Sequence, residues 1–274
     1  MHPQTTSKTL LYARLALGLA LGLTVCSGAQ ASIVIGATRV VYKAQDTEVT
    51  VKLSNEGRNP ALTQVWLDTG NPNDDPSLVS TPFTVVPPLA RIEAGKGQTL
   101  RILHTASEPM ATDKESLFWL NVLEVPPKPK AGGGAENTLQ LAFRSRIKLF
   151  YRPSELQGSA AQAPEQVRWR LVRGGSAPAL EATNPTSFHV SFTTLELLNE
   201  RGAAEPASEP IAASMVAPGA TKRFALPEGT AITAGTKVRY HAINDYGGDV
   251  EGISMLDPGH SAAHASTTPQ QAAP

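Results

Sequence analysis

The sequence predicts an all-β protein of two immunoglobulin-like β-sandwich domains behind an export signal. Three observations predict it. Short segments that alternate apolar and polar residues recur along the chain, with Gly, Pro, Asn and Asp turns between them. The first set of these segments numbers seven, the strand count of an immunoglobulin-like sandwich. The small-residue stretch Gly158-Ser159-Ala160-Ala161-Gln162-Ala163-Pro164 then separates it from a second all-β set, and no convincing amphipathic helix appears in either.

The chain opens on a targeting segment. Lys8 and Arg14 form a positive n-region, Leu15 to Val25 an apolar core too short to span a membrane, and Ala29-Gln30-Ala31 a small-residue cleavage site. Residues 1–31 are therefore read as a signal peptide, with the mature chain starting at Ser32. The single cysteine, Cys26, lies inside this segment, so the mature chain is expected to hold no thiol and no disulfide. Val25 stands where a lipoprotein acylation motif has Gly, Ala or Ser, which argues against lipidation of Cys26. The 24 basic and 24 acidic residues balance, and loss of Lys8 and Arg14 leaves a net charge of about −2. That gives no global attraction to nucleic acid or anionic membrane. No later segment reaches the roughly 18 apolar residues of a membrane span, so no membrane insertion of the mature chain is expected.

In the first domain, residues 32–153, strands are predicted over Ser32–Tyr42, Glu48–Ser54, Ala61–Asp68, Phe83–Val86, Gln98–His104, Ser116–Glu124 and residues 137–152. Pro87-Pro88 cannot sit inside a central strand, and reads as a kink where the chain switches sheets at an edge. Residues 154–164 are the linker. The second domain, 165–257, carries Val167–Val172, Ala179–Ala182, His189–Leu198, Ile211–Met215, Thr221–Ala225 and Val238–Asn244. Residues 258–274, rich in His, Ser, Ala, Thr, Pro and Gln, read as a disordered tail.

The last strand of the first domain alternates for an unusual length. Leu139, Leu141, Phe143, Ile147, Leu149 and Tyr151 share one face; Gln140, Ala142, Arg144, Arg146, Lys148 and Arg152 share the other, which Phe150 interrupts. An edge strand with large apolar side chains invites aggregation unless something pairs with it. Its retention predicts that pairing with another chain is its job. Lys148, between Ile147 and Leu149, is poorly solvated without an anion, and Arg39 is a second cation with apolar flanks. Two such cations converging on one cleft make a carboxylate clamp suited to a chain terminus.

Nothing here reads as an enzyme. There is no G-x-S-x-G elbow, phosphate loop or dinucleotide fingerprint. His104, His189, His241, His260 and His264 show no zinc-ligand spacing. No catalytic residue, metal or cofactor is expected. Trp66, Trp119 and Trp169 fall within strand alternation and are expected in cores, which weighs against the rival reading, a secreted β-sandwich adhesin or carbohydrate-binding module with exposed aromatics.

Five segments together resemble the periplasmic pilus chaperones of the chaperone–usher pathway. They are Ala37-Thr38-Arg39-Val40-Val41-Tyr42, Val86-Pro87-Pro88-Leu89-Ala90-Arg91-Ile92, Asp113-Lys114-Glu115-Ser116-Leu117-Phe118-Trp119-Leu120-Asn121, Arg146-Ile147-Lys148-Leu149-Phe150-Tyr151-Arg152-Pro153 and Ile243-Asn244-Asp245-Tyr246-Gly247-Gly248. The resemblance implies a periplasmic protein whose two domains are set in an L, with a fimbrial subunit bound along the cleft and delivered to an outer-membrane usher. It implies that Arg39 and Lys148 anchor the subunit's C-terminal carboxylate. Leu139, Leu141 and Phe143 would fill the groove of an incomplete pilin, which is donor-strand complementation. Glu115, Arg152 and Asp245 would form an interdomain polar network. The short loop Lys128–Glu136 resembles the class that builds rod-like fibres. The exposed edge leaves self-capping by dimerisation open.

Overall fold

Each half of the chain buries its apolar faces between two β-sheets. The computed structural model describes residues 32–125, 141–174, 177–198, 209–227, 230, 232–233 and 235–257. The predicted signal peptide, the loop at Lys128–Glu136, Leu139 and the predicted tail lie outside the described residues.

In the first domain, β1 (Ile33–Ile35), β3 (Val49–Asn55), β7 (Gly97–His104) and β5 (Phe83–Val86) form one sheet in the order β1-β3-β7-β5. The facing sheet runs β2-β9-β8-β4-β6, with β2 at Arg39–Lys43, β4 at Ala61–Asp68, β6 at Leu89–Ile92, β8 at Ser116–Val125 and β9 at Phe143–Arg152. Alternation does the work: Leu53, Leu100 and Ile102 from one sheet meet Leu120 and Leu149 from the other, all with no exposed surface. In the second domain, β10 (Arg168–Gly174), β11 (Ala177–Thr183) and β15 (Thr221–Ala225) form a three-stranded sheet. It faces a five-stranded one built on β12 (Val190–Leu198), β13 (Ile211–Ala212), β14 (Met215–Val216), β16 (Lys237–Ile243) and β17 (Asp249–Met255). Trp169 and Leu180 pack there against Leu195, Leu197 and Val238. The two halves are the two immunoglobulin-like sandwiches.

Several predicted elements change. The strand Ser32–Tyr42 is two strands: β1 pairs β3, the chain turns at residues 36–38, and β2 pairs β9 in the opposite sheet. Both pieces face the same core, and the switch shows only as a change of phase in the alternation, from Ile33 and Ile35 to Val40 and Tyr42. At Pro87-Pro88 the chain leaves the edge of one sheet and enters β6 at the edge of the other, across a cis Val86–Pro87 peptide bond. The sequence predicts no strand after these prolines, and none at β17, an exposed edge strand whose Glu251, Gly252 and Ser254 give no alternating signal. The predicted Ile211–Met215 strand divides into β13 and β14, which pair β12 on either side of its irregularity between Phe192 and Thr194. Within the linker stretch, a short helix, α1 (Ala163–Gln166), sets Ala163 into the second core.

Only Trp169 of the three tryptophans is a core residue. Trp66 and Trp119 are half-buried on the outer face of the first domain's larger sheet. They lie beneath Arg144 and Arg146, each guanidinium 4.8 Å from its ring centre. Asp68, fully buried, ties this face together. It accepts from Gly70 N at 2.7 Å, Arg146 Nη2 at 2.7 Å and Asn121 Nδ2 at 2.8 Å, and pairs with Arg144 at 3.3 Å. The basic stripe of β9 is therefore a bonded layer along this stretch, and not simply a solvated face.

Candidate functional site

The site is built where β2 and β9 run side by side. They pair in parallel with Arg39 opposite Lys148, Tyr42 opposite Tyr151 and Lys43 opposite Arg152. Parallel pairing brings the two cations to the same end of the shared ladder. Arg39 reaches across to the second domain, Nη1 donating to Ile243 O at 2.9 Å, and lies 5.7 Å from the Phe150 ring centre. Its Nε is buried without a partner among the described residues. Burial pushes its pKa down, against the pull of Asp245 and Glu115. Lys148 Nζ lies 3.4 Å from Ser191 Oγ and 5.8 Å from the Trp119 ring centre. Burial, then Arg39, then Lys222 push the Lys148 pKa down. Both cations thus sit part-desolvated beside one another, with no carboxylate paired to either among the described residues, an arrangement that favours an anion.

Beyond the cations, β9 changes character. It pairs β8 from Phe143 to Tyr151, but pairs β2 only from Lys148 to Arg152. From Phe143 to Ile147 its other edge has no strand partner among the described residues. Leu141 is 56% exposed and Phe143 51% exposed at the far end of this edge. Leu139 lies outside the described residues. The free edge begins at Lys148 and ends in exposed apolar side chains.

The far end of the β2–β9 ladder meets the second domain through charge. Arg152 donates from Nε to Glu115 Oε1 at 2.7 Å, and from Nη1 and Nη2 to Asp245 Oδ2 and Oδ1 at 2.7 and 2.9 Å. Burial alone would lower the Arg152 pKa. The Asp245 hydrogen bonds and both carboxylate charges outweigh it and hold the group above the ordinary arginine value. Asp245 is presented by the turn at Asn244–Gly248, whose Asn244 Oδ1 accepts from Tyr246 N and Gly248 N. Gly247 has φ +85°, and a Cβ there would run into Thr38 Oγ1, next to Arg39. Two residues for which the sequence predicts no role in the cleft join this cluster. His189 gives its backbone N–H to Glu115 Oε2 at 2.7 Å, with its Nδ1 at 3.2 Å from the same oxygen. Ser191 lies two residues on, facing Lys148. Their only signal is position: His189 immediately precedes β12 and Ser191 is its second residue, alternate positions at the end of the strand that borders the cleft.

Two halves of one family description cover the chain. "Pili and flagellar-assembly chaperone, PapD N-terminal domain" matches residues 32–157, and "Pili assembly chaperone PapD, C-terminal domain" matches residues 162–254. The chain belongs to the PapD family of pilus-assembly chaperones. Among its relatives, the probable fimbrial chaperone YadV of Escherichia coli K12 is 44% identical over 84% of this chain and 92% of its own. The chaperone protein FimB/FhaD of Bordetella pertussis is 44% identical over 85% of this chain and 91% of its own. A crystal structure of a YadV chaperone superposes with a TM-score of 0.69 and 42% identity, over 82% of this chain and 100% of that one. A chain of a Salmonella enterica complex between the SafA pilin and the SafB chaperone follows at 0.66 and 30% identity, over 84% of this chain and 99% of that one. The family places the protein among the fimbrial chaperones of the chaperone–usher pathway. No helix among the described residues is long and apolar enough to cross a membrane.

Proposed function

We propose that this chaperone works in the periplasm, binds fimbrial subunits by lending them β9 as a missing strand, and delivers them to an outer-membrane usher, without catalysis. The observation that carries the reading is the free edge of β9 from Phe143 to Ile147, which starts at the paired cations Arg39 and Lys148. An incomplete subunit exposes an apolar groove flanked by unpaired backbone, and a donated strand satisfies both. A subunit whose C-terminal carboxylate rests between Arg39 and Lys148 extends its last strand toward Phe143. That strand then runs in the lane of β2, parallel to β9, over about 17 Å for five residues. The anchor matters because a slip of one residue turns every apolar side chain away from the groove. Leu139, Leu141 and Phe143 are the groove-filling side chains of this reading, and Glu115, Arg152 and Asp245 hold the domain angle that keeps the cleft open to a subunit. The SafA–SafB complex, in which a pilin accompanies a chaperone, supports it. Trp66 and Trp119 are roofed by Arg144 and Arg146, which weighs against the glycan-binding alternative.

The test is recovery of a subunit from the periplasm. The tagged chaperone, co-expressed with a fimbrial subunit, is expected to copurify with it. The double variant Arg39→Ala, Lys148→Ala is expected to fold and to recover almost none, because losing a desolvated charge partner costs roughly 2–5 kcal/mol of binding. Full recovery by the double variant would refute the anchor.

A further inference from the structure

We propose that Lys222 is a third cationic contact for a chain bound in the cleft, placed to meet an acidic side chain within that chain's last few residues. The proposal rests on the subunit-binding reading. Lys222 projects from β15 in the second domain, and its Nζ reaches Met215 O of β14 at 3.5 Å. Met215 lies opposite Ser191 on β12, and Ser191 Oγ is the group 3.4 Å from Lys148 Nζ. The two ammonium groups thus approach one Ser191–Met215 pair, Lys148 from the first domain and Lys222 from the second.

Charge balance says what is missing. The cleft carboxylates Glu115 and Asp245 are both taken by Arg152. No ion pair among the described residues engages Arg39, Lys148 or Lys222. Four cations, Arg39, Lys148, Arg152 and Lys222, therefore face two carboxylates. The terminal carboxylate of a subunit leaves one positive charge over, and a second acid on the subunit removes it. Burial disfavours the protonated Lys148 most, and the charges of Arg39 and Lys222 add to it. Lys222 is exposed, so it loses little hydration before a ligand arrives and answers mainly to the ligand's charge.

Synthetic peptides test this on the full mature chain, with Trp119 beside Lys148 as the fluorescent reporter. The peptides have about nine residues of alternating apolar and polar character, enough to span the free edge. They end in a free carboxylate or an amide, and carry Asp or Asn at one of the last three positions. The wild-type chain is expected to prefer the Asp peptide by about threefold at low salt for at least one position, the scale of a partly exposed ion pair. Lys222→Gln is expected to erase that preference and to keep the preference for the free acid over the amide. Equal affinities for Asp and Asn at all three positions, or an Asp preference that survives in Lys222→Gln, overturns the proposal. A Lys222→Gln variant that loses its preference for the free acid also overturns it, since Lys222 would then be a third hand on the terminal carboxylate. Equal binding of acid and amide by the wild type, or no binding of any peptide, strikes instead at the cleft reading, and this proposal falls with it.

Discussion

Asp68 shows how one buried carboxylate organises a sheet face. Its oxygens accept from Gly70, Asn121, Arg144 and Arg146, and the two guanidinium groups lie over Trp66 and Trp119. Asp68→Asn keeps the shape but leaves two part-buried cations without an anion. The expected cost is about 2 kcal/mol of first-domain stability, read as a lower urea midpoint by tryptophan fluorescence. Lys148 predicts a pH effect. In the free protein its pKa is depressed by burial, Arg39 and Lys222. The fold then binds fewer protons than the unfolded chain between that depressed value and the ordinary lysine value, so this group's contribution to stability rises with pH across that window. A bound carboxylate favours the charged form. Affinity for a free-acid peptide is therefore expected to fall as pH rises through the depressed pKa, and Lys148→Arg is expected to flatten that fall.

At the scale of elements, β9 is the strand on which the account turns. In a self-sufficient sandwich, Phe143 and Leu141 would be core, and an acidic substitution would unfold the domain. Here both are more than half exposed at the end of an unpaired edge. Leu141→Glu and Phe143→Glu are expected to shift stability by no more than about 0.5 kcal/mol in thermal melts. Both are expected to abolish subunit recovery, because a carboxylate cannot enter an apolar groove unpaired. Legibility in the sequence follows the same physics. Strands with one buried face, such as β3, β4, β8 and β16, were plain from their period of two. Strand β17 was not, because an exposed edge asks nothing of its side chains. The split of β1 from β2 leaves only a change of phase, from Ile33 and Ile35 to Val40 and Tyr42, and alternation does not say which sheet supplies the neighbours. The cations Arg39 and Lys148 stood out by their apolar flanks, whereas Asp68, His189, Ser191 and Lys222 matter only through partners far along the chain.

At the scale of the molecule, the two sandwiches are joined by a charged cluster of few members. Arg152 binds Glu115 of its own domain and Asp245 of the other, and Glu115 also holds His189 of the second domain. Arg152→Ala strands the buried Glu115, while Asp245, a third exposed, recovers some hydration. A loss of roughly 3 kcal/mol is expected, with calorimetry resolving two transitions where the wild type shows coupled ones. Unchanged melting would show that the domain contact does not depend on this cluster. The central claim is that the free edge of β9, anchored at Arg39 and Lys148, takes a subunit strand. Hydrogen–deuterium exchange across Phe143–Ile147, with and without a bound fimbrial subunit, tests it most directly. The account predicts that amides there pointing away from β8 exchange fast in the free protein, slow by at least about tenfold in the complex, and stay fast when Arg39 and Lys148 are both alanine. A complex that forms while those amides remain fast would contradict it.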